Sequence, residues 1–280
     1  MSKKMNFIKM NGAGNDFIIF DGRKNAISLS PEQIRAISSR SNSITKGCDQ
    51  LLILRDSEVA DVFMEIYNAD GGEVDACGNA TRCIADMLYK ELGRLPVTIQ
   101  TNVAVLQGIK EVDGYILVDM GEPKFEWRDI PLAMPIDEAT AKVAAFSGLK
   151  NPIFVNMGNP HVVFFMDELP TDEEVAKIGV KIENFTEVFP QRVNVSFASK
   201  ENDKHNIHAK VWERGAGLTK ACGTGACAML AAANIRENQI REASVYFANS
   251  GQGVYVSLEK NGHILLGGAV EVEFEGTVAI

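Results

Sequence analysis

Ala76-Cys77-Gly78-Asn79 and Ala221-Cys222-Gly223-Thr224 are two versions of one short motif, 145 residues apart in the chain. Each version follows a glycine-rich turn, which is Gly71-Gly72 in the first case and Gly215-Ala216-Gly217 in the second. A shared tetrapeptide has little meaning by itself, so the residues around it must decide whether the chain is a repeat.

Further correspondences occur in the same order and at nearly the same offset. Gly14-Asn15-Asp16-Phe17 is matched by Gly158-Asn159-Pro160-His161, 144 residues later, and the amide residues Gln50 and Asn194 are also 144 residues apart. Ordered correspondences at one offset predict two structurally equivalent halves. The alternative is a duplicated scaffold in which one copy has lost its function, but both copies keep a cysteine and asparagines.

The composition is that of a soluble globular protein. Of the 280 residues, 46% are hydrophobic and 23% are charged, which excludes intrinsic disorder. The length suits one large or two modest domains. With 28 basic and 37 acidic side chains, the net charge of −9 repels phosphate backbones. We therefore expect neither nucleic acid nor a membrane as a partner, and a small molecule as the ligand.

The start of the chain lacks an apolar run long enough for a signal peptide, and no segment approaches the roughly 20 apolar residues of a membrane span. We therefore expect a cytoplasmic protein. Its five cysteines are Cys48, Cys77, Cys83, Cys222 and Cys227. An odd number argues against a disulfide framework in a reducing compartment. Their spacings do not form Cys-x-x-Cys units, so neither a metal site nor a local redox pair is expected.

Sequence patterns predict a chain dominated by strands, with fewer helices. Apolar runs predict strands at residues 59–67, 97–101, 115–119, 161–165 and 207–212. Capping signals predict surface helices after Ser30 and Thr171. Two more helices are predicted to begin at the repeated cysteines. The first ends near Gly93, and the second is apolar on all sides, as suits a helix enclosed by a sheet.

A thiol at a helix N-terminus has unusual chemistry, because the unpaired N–H groups there stabilise a thiolate and also bind a carboxylate. Two such thiols that face each other can remove a proton from one side of a carbon and return a proton to the other side. This is the chemistry of a two-base racemase or epimerase. The N–H groups of residues 78–79 and 223–224 can stabilise the carbanion without a metal or pyridoxal.

Polar residues of the repeat are suited to hold the amine and carboxylate groups of a substrate. The amides are Asn15, Asn68, Asn159 and Asn194. Arg214 is a candidate carboxylate clamp, and His161 and Glu213 are candidates for tuning the thiol protonation states. A single asparagine in a turn, or a histidine at a strand end, is more often structural. Placement at matching positions of a repeat favours the functional interpretation.

Five stretches of the chain together resemble the diaminopimelate epimerase family. They are Lys9 to Phe17, Asn68 to Cys83, Gly158 to His161, Arg192 to Val195 and Glu213 to Gly225. The resemblance spans essentially the whole chain. It implies interconversion of LL- and meso-diaminopimelate without a cofactor, on the route to lysine and peptidoglycan. It also implies a homodimer.

The resemblance further implies an α/β fold of the α+β type. Two pseudo-symmetric halves are each a strongly curved, mostly antiparallel sheet or barrel around a central helix. A last strand that returns to the first half makes that half discontinuous, with residues 1–121 plus 268–280 forming one half and 122–267 the other.

The family's site residues correspond to specific positions of this chain. The acid/base pair falls on Cys77 and Cys222, and the residues that adjust their protonation fall on His161 and Glu213. The substrate contacts fall on Asn15, Gln50, Asn68, Gly78, Asn79, Asn159, Asn194, Glu213, Arg214, Gly223 and Thr224.

The chain departs from the family pattern at Leu218, where many members have glutamate, and at Cys48. Two alternatives therefore stay open. One is a related cofactor-independent racemase that acts on another amino acid, such as histidine. The other is a non-catalytic or redox thiol protein on the same scaffold.

Overall fold

The structure, a computed structural model, describes residues 4–75, 77–112, 114–200, 205–237 and 240–279. Ala76 of the first motif lies outside these residues. The chain divides into a first unit, Met1–Asp119 with Gly267–Ile280, and a second unit, Met120–Leu266. Strands outnumber helices in the described residues, as the sequence patterns predict. No helix among these residues has the length and apolarity needed to cross a membrane.

Strands and helices are numbered in chain order. Up to residue 119 they are β1 (Lys4–Gly12), β2 (Asn15–Asp21), α1 (Pro31–Ser38), β3 (Gln50–Arg55), β4 (Val62–Asn68), β5 (Glu73–Val74), α2 (Gly78–Leu92), β6 (Val97–Gln100), β7 (Val105–Val112) and β8 (Tyr115–Asp119). From residue 120 they are α3 (Ile136–Ser147), β9 (Ile153–Asn156), β10 (Pro160–Met166), α4 (Asp172–Glu183), β11 (Asn194–Lys200), β12 (Asn206–Glu213), β13 (Gly217–Thr219), α5 (Gly223–Glu237), β14 (Glu242–Phe247), β15 (Gln252–Leu258), β16 (Ile264–Gly267) and β17 (Val270–Ala279).

The first unit is a curved sheet around α2. Its strands pair in the order β17, β1, β2, β3, β4, β6, β7, β8, and the short β5 also pairs with β4. Every pairing is antiparallel except β2 with β3 and β4 with β6. Helix α2 contacts β1 and β17 near one end of this order and β6, β7 and β8 near the other. The sheet therefore wraps around the helix.

The second unit repeats this plan around α5. Strands β9, β10, β11, β12, β14 and β15 pair in that order, again with two parallel pairings, β10 with β11 and β12 with β14. Helix α5 contacts β9, β10, β11, β14 and β15. Eight consecutive residues of α5, 226–233, are at most 2% exposed. Their mostly small side chains let the surrounding strands approach from all sides.

Strand register confirms that the repeat is structural. In the first unit Phe17 pairs with Gln50 across parallel strands, and in the second unit His161 pairs with Asn194 in the same way. Each residue of the second pair lies 144 positions after its counterpart in the first pair. Helices α2 and α5 are both 15 residues long and begin directly after the repeated cysteines. The predicted pseudo-symmetric α/β fold is confirmed.

Local signals at helix ends act as predicted. Ser30 and Thr171 each form a complete capping box with the residue three positions later. Gly93 ends α2 in the left-handed conformation, with φ of 65°. Helix α3 was not predicted, because it follows Pro135 without a side-chain cap and buries only Ala139 and Val143. Its position depends on packing with α4 rather than on a local signal.

Close packing in the second unit leads to a test of stability. A Cβ atom added to Gly179 in α4 would lie 2.5 Å from Trp212 Cγ, in the strand that ends at Glu213. Alanine usually stabilises a helix more than glycine does. Here the clash with Trp212 should outweigh that gain. We expect Gly179→Ala to lower the free energy of unfolding by about 1–3 kcal/mol in urea denaturation. The exposed Lys181→Ala in the same helix is the control, and equal stability of both variants would contradict this packing.

Candidate active site

Cys77 lies at the point where α2 begins. It is the N-cap residue, with an extended backbone, φ −148° and ψ 113°. Its carbonyl oxygen accepts hydrogen bonds from the N–H and the hydroxyl of Thr81, each at 2.9 Å. These bonds fix the first turn, which follows with Gly78 and Asn79. The thiol is thus carried by the backbone at the positive end of the helix dipole.

Asn79 is held by a neighbour that the sequence analysis missed. Its side-chain oxygen accepts a hydrogen bond from Arg82 Nη2 at 2.9 Å, and both residues are at most 2% exposed. Arg82 Nη1 also donates to the carbonyl of Ala269 at 3.2 Å. The sequence signal was available, since an arginine stands among the apolar residues of α2. The arginine orients the Asn79 amide and adds a buried positive charge in the second turn of the helix.

Three of the predicted amides lie on neighbouring strands of the first unit. Asn15 and Gln50 begin the parallel strands β2 and β3, and Asn68 ends β4 directly opposite Gln50. Gln50 Nε2 donates to Asn68 Oδ1 at 3.1 Å. Asn15 Oδ1 and Gln50 Oε1 are buried and receive no hydrogen bond from the described residues. These two oxygens are available acceptors for a donor outside the chain.

Cys222 lies directly before α5, and its thiol is enclosed more tightly. The residue is 4% exposed. The N–H of Gly225 donates to Sγ over 3.4 Å, and Sγ lies 3.5 Å from the hydroxyl of Thr224. The carbonyl of Cys222 accepts the N–H of Ala226 at 2.9 Å. The predicted position at a helix N-terminus is confirmed for both cysteines.

Glu213 provides a charged neighbour for Cys222. Its carboxyl group accepts a hydrogen bond from the Thr219 hydroxyl and is hydrogen-bonded to the Cys222 thiol. Burial raises the pKa of Glu213. Burial also raises the pKa of Cys222 well above its usual value, and the negative charge of Glu213 raises it further. Cys222 is therefore protonated at neutral pH. Thr219, which the sequence analysis missed, lies three residues before the second cysteine.

His161 is fully buried and neutral. Its Nε2 lies 2.9 Å from Asn159 Oδ1 and 3.1 Å from Thr224 Oγ1. Burial, aided by the positive charge of Arg214, lowers the pKa of His161 to about 3. Because an amide oxygen can only accept, the Asn159 contact assigns the proton to Nε2. Thr224 then links the histidine to the thiol of Cys222.

Asn194 and Arg214 are tied to the backbone around them. Asn194 Nδ2 donates to the carbonyl of Pro160 at 3.0 Å, and its Oδ1 accepts the N–H of Arg214 at 2.8 Å. Arg214 Nη1 donates to the carbonyl of Gln191 at 2.9 Å. The Asn194 amide is thus held by its own hydrogen bonds, while the guanidinium has further N–H groups to offer a carboxylate.

The predicted site residues fall into two sets, one in each unit. The first set is Asn15, Gln50, Asn68, Cys77, Gly78 and Asn79, and the second is Asn159, His161, Asn194, Glu213, Arg214, Cys222, Gly223 and Thr224. In the described part of the chain, no three Cys, His, Asp or Glu side chains are grouped as the ligands of a metal would be.

The relatives that share about 40% of their residues with this chain are named diaminopimelate epimerases. The sequence model of the family described as diaminopimelate epimerase matches residues 7–126 and, separately, residues 153–272. The chain is 42% identical over 270 residues to the diaminopimelate epimerase of Acidiphilium cryptum, a match that covers 96% of this chain and 95% of the relative. It is 43% identical over 272 residues to that of Sphingopyxis alaskensis, covering 96% of each.

Solved structures show where else this fold occurs. A phenazine biosynthesis protein of the PhzF family from Bacillus anthracis has a TM-score of 0.66 at 20% identity, covering 99% of this chain and all of that one. A hydroxyproline epimerase from Agrobacterium vitis has a TM-score of 0.65 at 13% identity, covering 99% of this chain and 92% of the other. Identities this low indicate a shared fold alone.

The family matches agree with the internal repeat of the chain. Each of the two matched ranges contains one repeated cysteine, Cys77 in the first and Cys222 in the second. The matches to the relatives extend over nearly the full length of both sequences. The chain belongs to the diaminopimelate epimerase family.

Proposed function

We propose that this protein is an epimerase that interconverts LL- and meso-diaminopimelate with two cysteines and no cofactor. One observation carries the proposal: each unit presents a cysteine at the N-terminus of a sheet-enclosed helix, in a chain of this family. The α-proton of an amino acid is a very weak acid. Removal therefore requires a base on one face, an acid on the other and fixed donors for the carbanion.

The proposed mechanism requires one thiol and one thiolate. Cys222 is the acid, because burial and the adjacent Glu213 keep its proton in place. Cys77 is the base, since the dipole of α2 stabilises a thiolate at its N-terminus. Cys77 takes the α-proton, and Cys222 gives its own proton to the opposite face. Cys77 is then a thiol and Cys222 a thiolate, which is the form that acts on the product isomer.

The substrate carboxylate next to the reacting carbon binds at the helix N-termini. The N–H groups of Gly225 and Ala226 are used by Cys222. This leaves the N–H groups of Gly223 and Thr224 to bind the carboxylate, with Gly78 and Asn79 in the equivalent position of α2. Charge that spreads into the carboxylate during proton removal is stabilised by these preorganised dipoles.

The ammonium and carboxylate groups of the substrate match the polar residues of both units. The buried acceptor oxygens of Asn15 and Gln50 suit an ammonium group. The remaining guanidinium donors of Arg214 suit a carboxylate. Diaminopimelate carries an ammonium and a carboxylate group at each end, so it can make more of these contacts than a substrate with one such pair. An amino acid with one such pair uses fewer contacts and should bind more weakly.

We further propose that the protein works in the cytoplasm as a homodimer, on the route to lysine and peptidoglycan. The family resemblance supports this setting. Light scattering during size-exclusion chromatography measures the oligomeric state, and a mass of one chain would contradict the dimer.

Activity on a panel of amino acids tests the substrate. We expect purified, reduced protein to epimerise LL-diaminopimelate without added metal or pyridoxal phosphate, and to leave L-histidine and L-proline unchanged in the same assay by chiral chromatography. Racemisation of L-histidine in preference to diaminopimelate would favour a related racemase. Folded protein with reduced thiols that acts on none of them would favour a non-catalytic or redox protein.

Replacing either cysteine tests the two-base mechanism. Cys77→Ala and Cys222→Ala should each lower kcat by about 10²–10⁴-fold, because each removes one partner in proton transfer. Cys227→Ala is the matched control, since it removes a thiol from the interior of α5, among alanines. Wild-type kcat in either of the first two variants would rule out the mechanism.

The electrostatic role of Glu213 is open to a direct test. Glu213→Gln removes the negative charge beside Cys222, so the pKa of Cys222 should fall and its thiolate should form at lower pH. We expect the pH profile for alkylation of Cys222 by iodoacetamide, followed by mass spectrometry, to shift to lower pH. The exposed Glu187→Gln in the same unit is the control. An unchanged profile for Glu213→Gln would contradict the assigned interaction.

A further inference from the structure

A network of four charged side chains lies in the first unit, and neither the repeat nor the proposed chemistry accounts for it. Its members are Lys9, Asp16, Arg40 and Asp49. Lys9 Nζ lies 2.6 Å from Asp16 Oδ2, with the side chains 2% and 12% exposed. The same amine donates to the carbonyl of Gly47. Lys9 therefore joins β1 to the start of β2 and to the loop before β3.

Arg40 closes the network from the solvent side. Its guanidinium donates to both carboxylate oxygens of Asp16, at 2.5 and 2.8 Å, and to Asp49 at 2.5 Å. The two aspartates are also joined through the backbone. The N–H of Asp49 donates to Asp16 Oδ1 at 2.9 Å, and the N–H of Asp16 donates to Asp49 Oδ2 at 3.3 Å. Two cations thus balance two carboxylates.

The network favours the charged form of Asp16, whereas burial and the neighbouring Asp16 raise the pKa of Asp49. Burial favours the protonated form of Asp16, but hydrogen bonds from Arg40 and Lys9 hold the pKa of its carboxyl group well below the usual range. Buried ion pairs often add little net stability compared with apolar packing of the same volume. A complete set of paired charges does, however, select one geometry over others.

The network lies next to two of the proposed substrate contacts. Asp16 follows Asn15, and Asp49 precedes Gln50. The reciprocal bonds between the two aspartates fix the starts of β2 and β3 against each other. The buried acceptor oxygens of Asn15 and Gln50 are thereby carried on a backbone that cannot shift without breaking charged hydrogen bonds.

The second unit lacks this arrangement and holds its amide differently. At the offset of 144, Pro160 replaces Asp16 and the buried Val193 replaces Asp49. There the side chain of Asn194 is fixed directly, by two hydrogen bonds to the backbone. Its counterpart Gln50 has one described hydrogen bond, to Asn68, and a buried oxygen without a donor among the described residues. The position of the Gln50 side chain therefore depends on its backbone, whereas the Asn194 side chain is fixed by its own hydrogen bonds.

We propose that Asp16, held by Lys9 and Arg40 and bonded to Asp49, is a positioning residue that sets Asn15 and Gln50 for substrate binding. This inference rests on the proposed epimerase function. The network fixes where two acceptor oxygens lie, and it takes no part in proton transfer.

Arg40→Gln tests the proposal without leaving a buried lysine unpaired, as Asp16→Asn would. Half of the Arg40 side chain is exposed, so the variant should fold. We expect kcat/KM for LL-diaminopimelate to fall roughly tenfold to a hundredfold, mainly through KM, because misplaced contacts weaken substrate binding. Amide hydrogen exchange should become faster in residues 15–20 and 49–54. Arg40→Lys should restore part of both properties, since it keeps one charged contact.

Arg23→Gln is the matched control. Arg23 also pairs with two carboxylates in the first unit, binding Asp21 at the other end of β2 and Glu91. We expect it to leave the kinetic constants and the exchange of residues 15–20 and 49–54 unchanged.

The outcomes separate the two proposals. Equal loss of kcat/KM in Arg23→Gln and Arg40→Gln would show a general effect on stability and overturn the positioning role. Unchanged kinetics in Arg40→Gln would overturn it as well. If the wild-type protein does not epimerise diaminopimelate, the proposed function fails. Hydrogen exchange then still decides whether the network fixes these strand starts, and unchanged exchange in Arg40→Gln would overturn that role.

Discussion

In each unit a helix begins directly after a cysteine, inside a sheet that contacts the helix along several strands. A helix N-terminus carries N–H groups without partners in the helix and a partial positive charge. Enclosure by the sheet fixes where those groups lie and keeps much of the solvent away. In the proposed mechanism, the reactive thiol, the carboxylate site and the stabilisation of the carbanion all depend on this one placement.

The two units share a scaffold but differ in the chemistry around the thiol. Phe17 of the first unit is equivalent in strand register to His161 of the second, and Asn68 is equivalent to Glu213. A buried carboxyl group beside Cys222 opposes loss of its proton. In an enzyme that works in both directions, one thiol must begin with its proton and the other without. Pseudo-symmetry supplies two similar thiols, and substitutions at matched positions make them different.

Much of this architecture can be predicted from sequence, because local signals and the repeat act over short ranges. The helix starts after Cys77 and Cys222, and the capping boxes at Ser30 and Thr171, depend on neighbouring residues. The network around Asp16 was missed, since its members come from separate strands and a loop that only the sheet brings together. Asn194 illustrates the same limit. Its hydrogen bonds join it to the backbone of Pro160 and Arg214, which only the fold brings next to it.

The proposed two-base mechanism specifies the origin of the new α-proton. The proton given to the product must come from the second thiol, which exchanges with solvent, and not from the base that removed the first. Incubation of LL-diaminopimelate with the protein in deuterated water, followed by proton NMR and mass spectrometry at early conversion, tests this most directly. The two-base mechanism predicts one deuterium at the inverted α-carbon of the meso product, with little deuterium in the remaining LL isomer. Product that keeps its original α-proton would show a single base acting on both faces and would rule out the two-base mechanism.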